Sequence, residues 1–109
     1  PDDLDAHVGP RTRAIVLCNP GNPTGAVYPP EAVARVLETC KRHDLFLICD
    51  EVYRDLVFDG TATPNAMALP DPDARVIVVD SLSKRYSLCG IRIGALVTRN
   101  GMVMDAVLR

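Results

Sequence analysis

Hydrophobic residues in this chain come in short unbroken blocks rather than in strict alternation with polar ones. Ala14-Ile15-Val16-Leu17-Cys18 is one such block, and Leu45-Phe46-Leu47-Ile48-Cys49 and Val76-Ile77-Val78-Val79 repeat it. Blocks of this length predict strands buried on both faces of a sheet. Between the first two, Val33, Val36, Leu37 and Cys40 recur at helical spacing and give one apolar face. Pro29-Pro30-Glu31 opens that helix, because proline fits the first turn and an acid suits its positive end. Lys41, Arg42 and His43 close it with positive charge at the negative end. A fourth apolar run covers 91–98, too close to the third for a parallel crossover, so an antiparallel strand is expected there. Asn100-Gly101 then turns the chain into a helix over 102–109. Residues 1–11 are polar and aperiodic and read as a lead-in. The stretch 59–73, rich in proline, aspartate and threonine, reads as a surface excursion. Together these elements predict an α/β fold: a mostly parallel sheet with one antiparallel strand near the C-terminus and helices on its faces.

Composition narrows the partners. A chain of 109 residues is expected to form one domain, and its net charge of −2 offers no footprint for nucleic acid or an anionic membrane surface. No apolar run approaches the roughly 20 residues that span a bilayer, and no leader pattern opens the chain. Starting at Pro1 and stopping at Arg109 inside the last helix, the chain reads as cut at both ends. Its four cysteines, Cys18, Cys40, Cys49 and Cys89, show neither a C-x-x-C pair nor metal spacing. They are expected to be buried free thiols acting as small hydrophobes, which points to a reducing compartment, the cytoplasm.

The chemically suggestive clusters all come after predicted parallel strands: Asn19-Pro20-Gly21-Asn22-Pro23-Thr24-Gly25, Asp50-Glu51-Val52-Tyr53 and Asp80-Ser81-Leu82-Ser83-Lys84. Open α/β sheets bind ligands at those carboxyl ends. Lys84, flanked by hydroxyls, has the setting of an amine that forms a Schiff base with an aldehyde cofactor. Such an amine must be neutral, although a free lysine has a pKa of about 10.4. Partial burial and the positive charge of Arg92 would lower it. Arg92, in Gly90-Ile91-Arg92-Ile93-Gly94, lies among apolar residues and needs an anionic partner, either a phosphate or one of the aspartates. Asp50 comes after five apolar residues, so it is either paired or the N-cap of a helix starting at Glu51. Asn22 sits in a loop stiffened by prolines, which holds its amide in place at little ordering cost. Asn19 reads as structural, and Glu51, His7 and His43 as solvated or structural.

With these three motifs in this order, the chain resembles the class I/II aminotransferases that use pyridoxal 5′-phosphate, over about 15–97. The resemblance implies a central piece of the large, cofactor-binding domain, with the N-terminal and C-terminal parts of the parent absent. Neither the upstream glycine-containing phosphate loop and ring-stacking aromatic nor the downstream carboxylate-binding arginine can be found. It implies transamination between an L-amino acid and a 2-oxo acid, with Lys84 as Schiff-base lysine and proton shuttle. Asp50 would bond the pyridine nitrogen, and Asn22 and Tyr53 the phenolic oxygen, with Asn22 also near the substrate carboxylate. Ser81 and Arg92 would contact the phosphate; Ser83 would either join them or shape the loop. A homodimeric parent is implied, with the piece alone inactive. Many relatives carry Trp where Ile91 stands. Two alternatives use the same fold: a pyridoxal-phosphate lyase or decarboxylase, and a cofactor-binding sensor domain of a transcription regulator. Thr24 leans toward transamination.

Overall fold

The computed structural model describes residues 3–58, 60–71 and 73–109; Pro1, Asp2, Asp59 and Pro72, parts of the expected lead-in and excursion, lie outside the described residues. Its sheet contains β1 (Ala14–Cys18), β2 (Phe46–Asp50), β3 (Val76–Ser81) and β4 (Gly94–Thr98), side by side in that order. β1 and β2 pair parallel, as do β2 and β3, whereas β3 and β4 are antiparallel. The mixed α/β architecture expected from the apolar blocks is therefore present.

Register decides which residues meet the helix. Ile15 lies beside Leu47 and Leu47 beside Val76, while Leu17, Cys49 and Val78 form the next row. Side chains alternate between the two faces of a strand, so these six share one face. Helix α1 (Pro30–Arg42) covers it, with Val33, Val36, Leu37 and Cys40 packed against Leu47, Cys49, Val76 and Val78. Burying each such aliphatic side chain stabilises the fold by roughly 1.5–3 kcal/mol. Pro29 caps α1 and Pro30 occupies its first turn, as the sequence predicts. Cys40 and Cys49 are buried, and that burial pushes their thiols up to about 11 and about 12. Cys18 is half-buried and Cys89 exposed, so the expectation of four buried thiols fails for these two.

Several boundaries differ from the expected ones. Strand β2 includes Asp50, and the residues after Glu51 form a turn, not a helix, so Asp50 is not a helix cap. Strand β3 continues through Ser81, and helix α2 (Leu82–Arg85) begins directly after it. Strand β4 begins at Gly94 rather than at residue 91. The residues before it form a 3-10 turn, Cys89–Ile91, and Arg92 is left-handed at φ 55°, ψ 44°, outside the extended region of a regular strand. Helix α3 spans Gly101–Val107, and the Asn100 side chain caps it by accepting from the Val103 amide at 3.1 Å.

Neither expected loop is loose. In the lead-in, Asp5–His7 form a 3-10 turn, and Leu4 and Val8 pack against the core. Asp5 accepts from Arg42 at 2.7 and 3.0 Å, and His43 Nε2 lies 2.6 Å from it. The Arg42 bonds first, then the His43 contact, hold the Asp5 carboxyl below its usual 3.8. His7 sits 3.2 Å from Asp3, so both histidines are paired. In the excursion, Ala66–Ala68 form another 3-10 turn whose Ala66 is buried. Among the described residues, no helix is long and apolar enough to cross a membrane.

Candidate active site

Because β1, β2 and β3 are parallel neighbours, the segments leaving their C-terminal ends emerge side by side along one edge of the sheet. The first, residues 19–25, is closed on itself. Gly21 N donates to Ala26 O and Gly25 N to Gly21 O, both at 2.8 Å. Gly25 adopts φ 69°, where a residue with a Cβ is strained, and a Cβ on Gly21 would come within 2.9 Å of Thr24 Oγ1. Asn19 is buried and bonds both backbone groups of Tyr28 at 2.8 and 3.1 Å, the structural role expected of it.

Held by this loop, Asn22 donates its amide to the Tyr53 hydroxyl at 2.9 Å, across 31 residues of sequence. The pair lies at a cleft of about 440 Å³, whose wall includes Pro20, Leu56, Val57 and Phe58. Tyr53 is held in turn by the bend after β2, where Leu56 N donates to Tyr53 O at 2.8 Å. Asp50 is half-buried on the sheet face opposite α1, and its Oδ1 accepts from the Val52 amide at 3.1 Å. That bond initiates the bend, an Asx turn in place of the helix cap. The other carboxylate oxygen has no protein partner among the described residues.

The third segment carries Ser81, Ser83 and Lys84. Ser81 ends β3 and caps α2: its Oγ accepts from the Ser83 amide at 3.1 Å and lies 2.9 Å from Ser83 Oγ. Both hydroxyls thus take part in loop geometry. Lys84 is exposed, contrary to the partial burial expected, because the next residue, Arg85, takes the inward position on this single turn. Arg92 is also exposed and lies outside the strand; its guanidinium donates to Cys89 O at 3.0 Å and has no carboxylate partner among the described residues. Among the described residues, neither Lys84 nor Arg92 makes a side-chain hydrogen bond or ion pair to any of the other candidates.

What the sequence reading missed is an ionic network behind these segments. Glu51 is only 1% exposed. It accepts from the Ala66 amide at 2.8 Å and from Arg54 at 3.4 Å. Arg54 also reaches Asp80 at 3.4 Å, Asp80 pairs with Arg85 at 2.8 Å, and Arg85 pairs with Asp55. The signal was available: alternation from Leu47 and Cys49 puts Glu51 on the helix-covered face.

A sequence model of the family described as aminotransferase class I and II matches residues 1–109, the whole chain. The chain belongs to this family. Among class I and II aminotransferases, the glutamate-pyruvate aminotransferase AlaA of Escherichia coli is 41% identical over 96 residues, covering 88% of this chain and 24% of the relative. The arginine–pyruvate transaminase AruH of Pseudomonas aeruginosa is likewise 41% identical over 96 residues, covering 88% of this chain and 24% of the relative. A crystal structure of an aminotransferase from Escherichia coli superposes with a TM-score of 0.80 at 38% identity, covering 89% of this chain and 24% of that one. The chain spans about a quarter of the length of these aminotransferases.

Proposed function

We propose that this chain is the cofactor-holding part of a pyridoxal-phosphate-dependent aminotransferase that exchanges an amino group between an L-amino acid and a 2-oxo acid. The observation carrying the proposal is the Asn22–Tyr53 contact at 2.9 Å: two donors from separate motifs converge where one phenolic oxygen would be held. The donor set fits the cofactor. Asp50 has a carboxylate oxygen with no partner among the described residues, suited to a ring N–H, Ser81 and Ser83 present adjoining hydroxyls, and Arg92 has an exposed guanidinium suited to a phosphate. When bound, pyridoxal phosphate supplies the electron sink that makes a substrate α-carbon acidic.

In this reading Asp50 keeps a proton on the ring nitrogen, and Asn22 and Tyr53 donate to the phenolic oxygen. Asn22 also lies beside the substrate carboxylate. Ser81, Ser83 and Arg92 bind the phosphate. Lys84 Nζ would hold the cofactor aldehyde and would be the base that moves the α-carbon proton. The parent is read as a homodimer in the cytoplasm; the four unpaired cysteines support a reducing compartment. The residues present hold a cofactor without supplying the arginine for the substrate carboxylate, so turnover is not expected from them alone.

The test uses the two lysines of this chain, Lys41 and Lys84. Lys41 is paired with Glu38 on α1 and serves as an internal control. After incubation of the full-length protein with pyridoxal phosphate and borohydride reduction, peptide mass spectrometry should find the adduct on Lys84 and not on Lys41, and Lys84→Ala should abolish it. Equal labelling of both lysines, or none, would refute the proposal.

A further inference from the structure

Lys84 stands on a helix that cannot hold itself. Helix α2 has only four residues, and at its end Tyr86 N donates to Leu82 O at 3.1 Å. An isolated turn of this length has no stability of its own in water, because nucleation fixes several residues for one bond. Ser81 caps its start. Leu82 N donates to Ile93 O at 3.3 Å, and Arg85 adds a side-chain tether: its Nη2 donates to Asp80 Oδ2 at 2.8 Å, and its Nε is in ionic contact with Asp55. Both members of the Arg85–Asp80 pair are largely withdrawn from solvent, at 17% and 16% side-chain exposure, whereas Asp55 is half-exposed.

These carboxylates come from different places. Asp80 belongs to β3, with Oδ1 also accepting from the Ser81 amide at 2.7 Å. Asp55 belongs to the bend that carries Tyr53, two residues earlier. Arg54 closes a second path between the same parts, reaching Asp80 and Glu51 at 3.4 Å each, while Thr63 donates to Arg54 O at 3.2 Å. One guanidinium therefore ties the lysine turn to the strand before it and to the tyrosine bend beside it. Successive helical side chains point about 100° apart, so anchoring Arg85 inward leaves Lys84 directed outward.

We propose that Arg85 is a positioning residue: by spanning Asp80 and Asp55 it fixes where Lys84 presents its amine relative to the Asn22–Tyr53 pair. The proposal rests on Lys84 being the cofactor amine. A lysine at 85 would keep the charge but could not reproduce the planar fork that reaches two carboxylates. Asp80 and Asp55 act with Arg85, and none of the three needs to touch the cofactor.

Two probes separate positioning from pocket formation in the full-length protein. Pyridoxal phosphate joins its aldehyde carbon to Lys84 Nζ with loss of one water, and borohydride traps the product. Pyridoxine 5′-phosphate has the same ring and phosphate but no aldehyde, so its binding reports the pocket without the lysine. Arg85→Met should slow trapping at Lys84 by about tenfold to a hundredfold, the scale of a misplacement of about 1 Å. It should leave pyridoxine 5′-phosphate affinity within about threefold, less than the tenfold that 1.4 kcal/mol would bring. Arg85→Lys should recover part of the rate. Asp55→Ala, at a half-exposed site, should slow trapping by less than Arg85→Met. Hydrogen exchange at the Tyr86 amide, read without cofactor, should accelerate in the same order.

If wild-type protein fails to label Lys84, the cofactor reading itself is wrong. If wild type labels Lys84 and Arg85→Met does so at the same rate, the positioning role is refuted. Equal losses of trapping rate and pyridoxine 5′-phosphate affinity in Asp55→Ala would also overturn it, since the network would then be building the whole pocket.

Discussion

Arg92 is the residue whose backbone and side chain ask for separate explanations. Its left-handed conformation costs an L-residue with a Cβ about 1 kcal/mol or more, a penalty glycine escapes. Its side chain makes a single bond, to Cys89 O, among the described residues. Arg92→Gly should therefore leave unfolding stability unchanged or raise it by up to about 1 kcal/mol, as measured by urea denaturation. Pyridoxal phosphate affinity should fall by about tenfold or more in the full-length protein, since a charge-assisted bond is worth about 1.5–3 kcal/mol. Stability and affinity falling together would mean that the guanidinium serves the fold. At this scale motifs are informative where loops fix side chains, as with Asn22 and Tyr53. They mislead where a strand boundary is misplaced: an Arg92 inside β4 would have apolar neighbours, but the left-handed turn puts it in solvent. Glu51 reads from its motif as a solvated or structural acid, yet it is buried. The period-two pattern of β2, carried one residue past Asp50, points it at the core.

The elements with an apolar pattern and α3, opened by Asn100-Gly101, were legible, whereas the four-residue α2 was not. α1 declared itself through Val33, Val36, Leu37 and Cys40, all buried against the sheet. α2 could not, since four residues carry no period and its start depends on one serine hydroxyl. The contrast gives a prediction about α1. Leu37 is fully buried at its centre, so Leu37→Ala should cost about 2–5 kcal/mol from lost transfer energy and the cavity left behind. Glu38→Ala, one residue on and exposed, should cost less than about 0.5 kcal/mol apart from its pair with Lys41. Urea unfolding of both variants monitored by circular dichroism checks this. Equal costs would show that α1 is not docked on Leu47 and Val76.

For the whole molecule, the decisive fact is that the apolar blocks predict burial on both faces and α1 covers one. The opposite face carries Val16, Phe46, Ile48, Val79 and Leu96, aligned by the registers of the four strands. On β3, Ile77 of this face is buried, but at the β1 edge Val16 is 69% exposed. Phe46, Ile48, Val79 and Leu96 are half-buried, so the exposed apolar group is Val16, on an edge strand with no outer neighbour among the described residues; such an edge favours association through both the hydrophobic effect and open backbone groups. This 109-residue chain by itself should therefore bind a hydrophobic dye and sediment as more than a monomer at micromolar concentration. Val16→Glu should reduce both signals. It should change unfolding stability by no more than about 0.5 kcal/mol, since Val16 makes little of the core and the new charge remains in water. A monomeric wild type that ignores the dye would mean this face is covered, and the exposed valine would then need another explanation. If Val16→Glu instead unfolds the chain, β1 depends on that face for its own place in the sheet, and the side opposite α1 is as much a part of the core as the side beneath it.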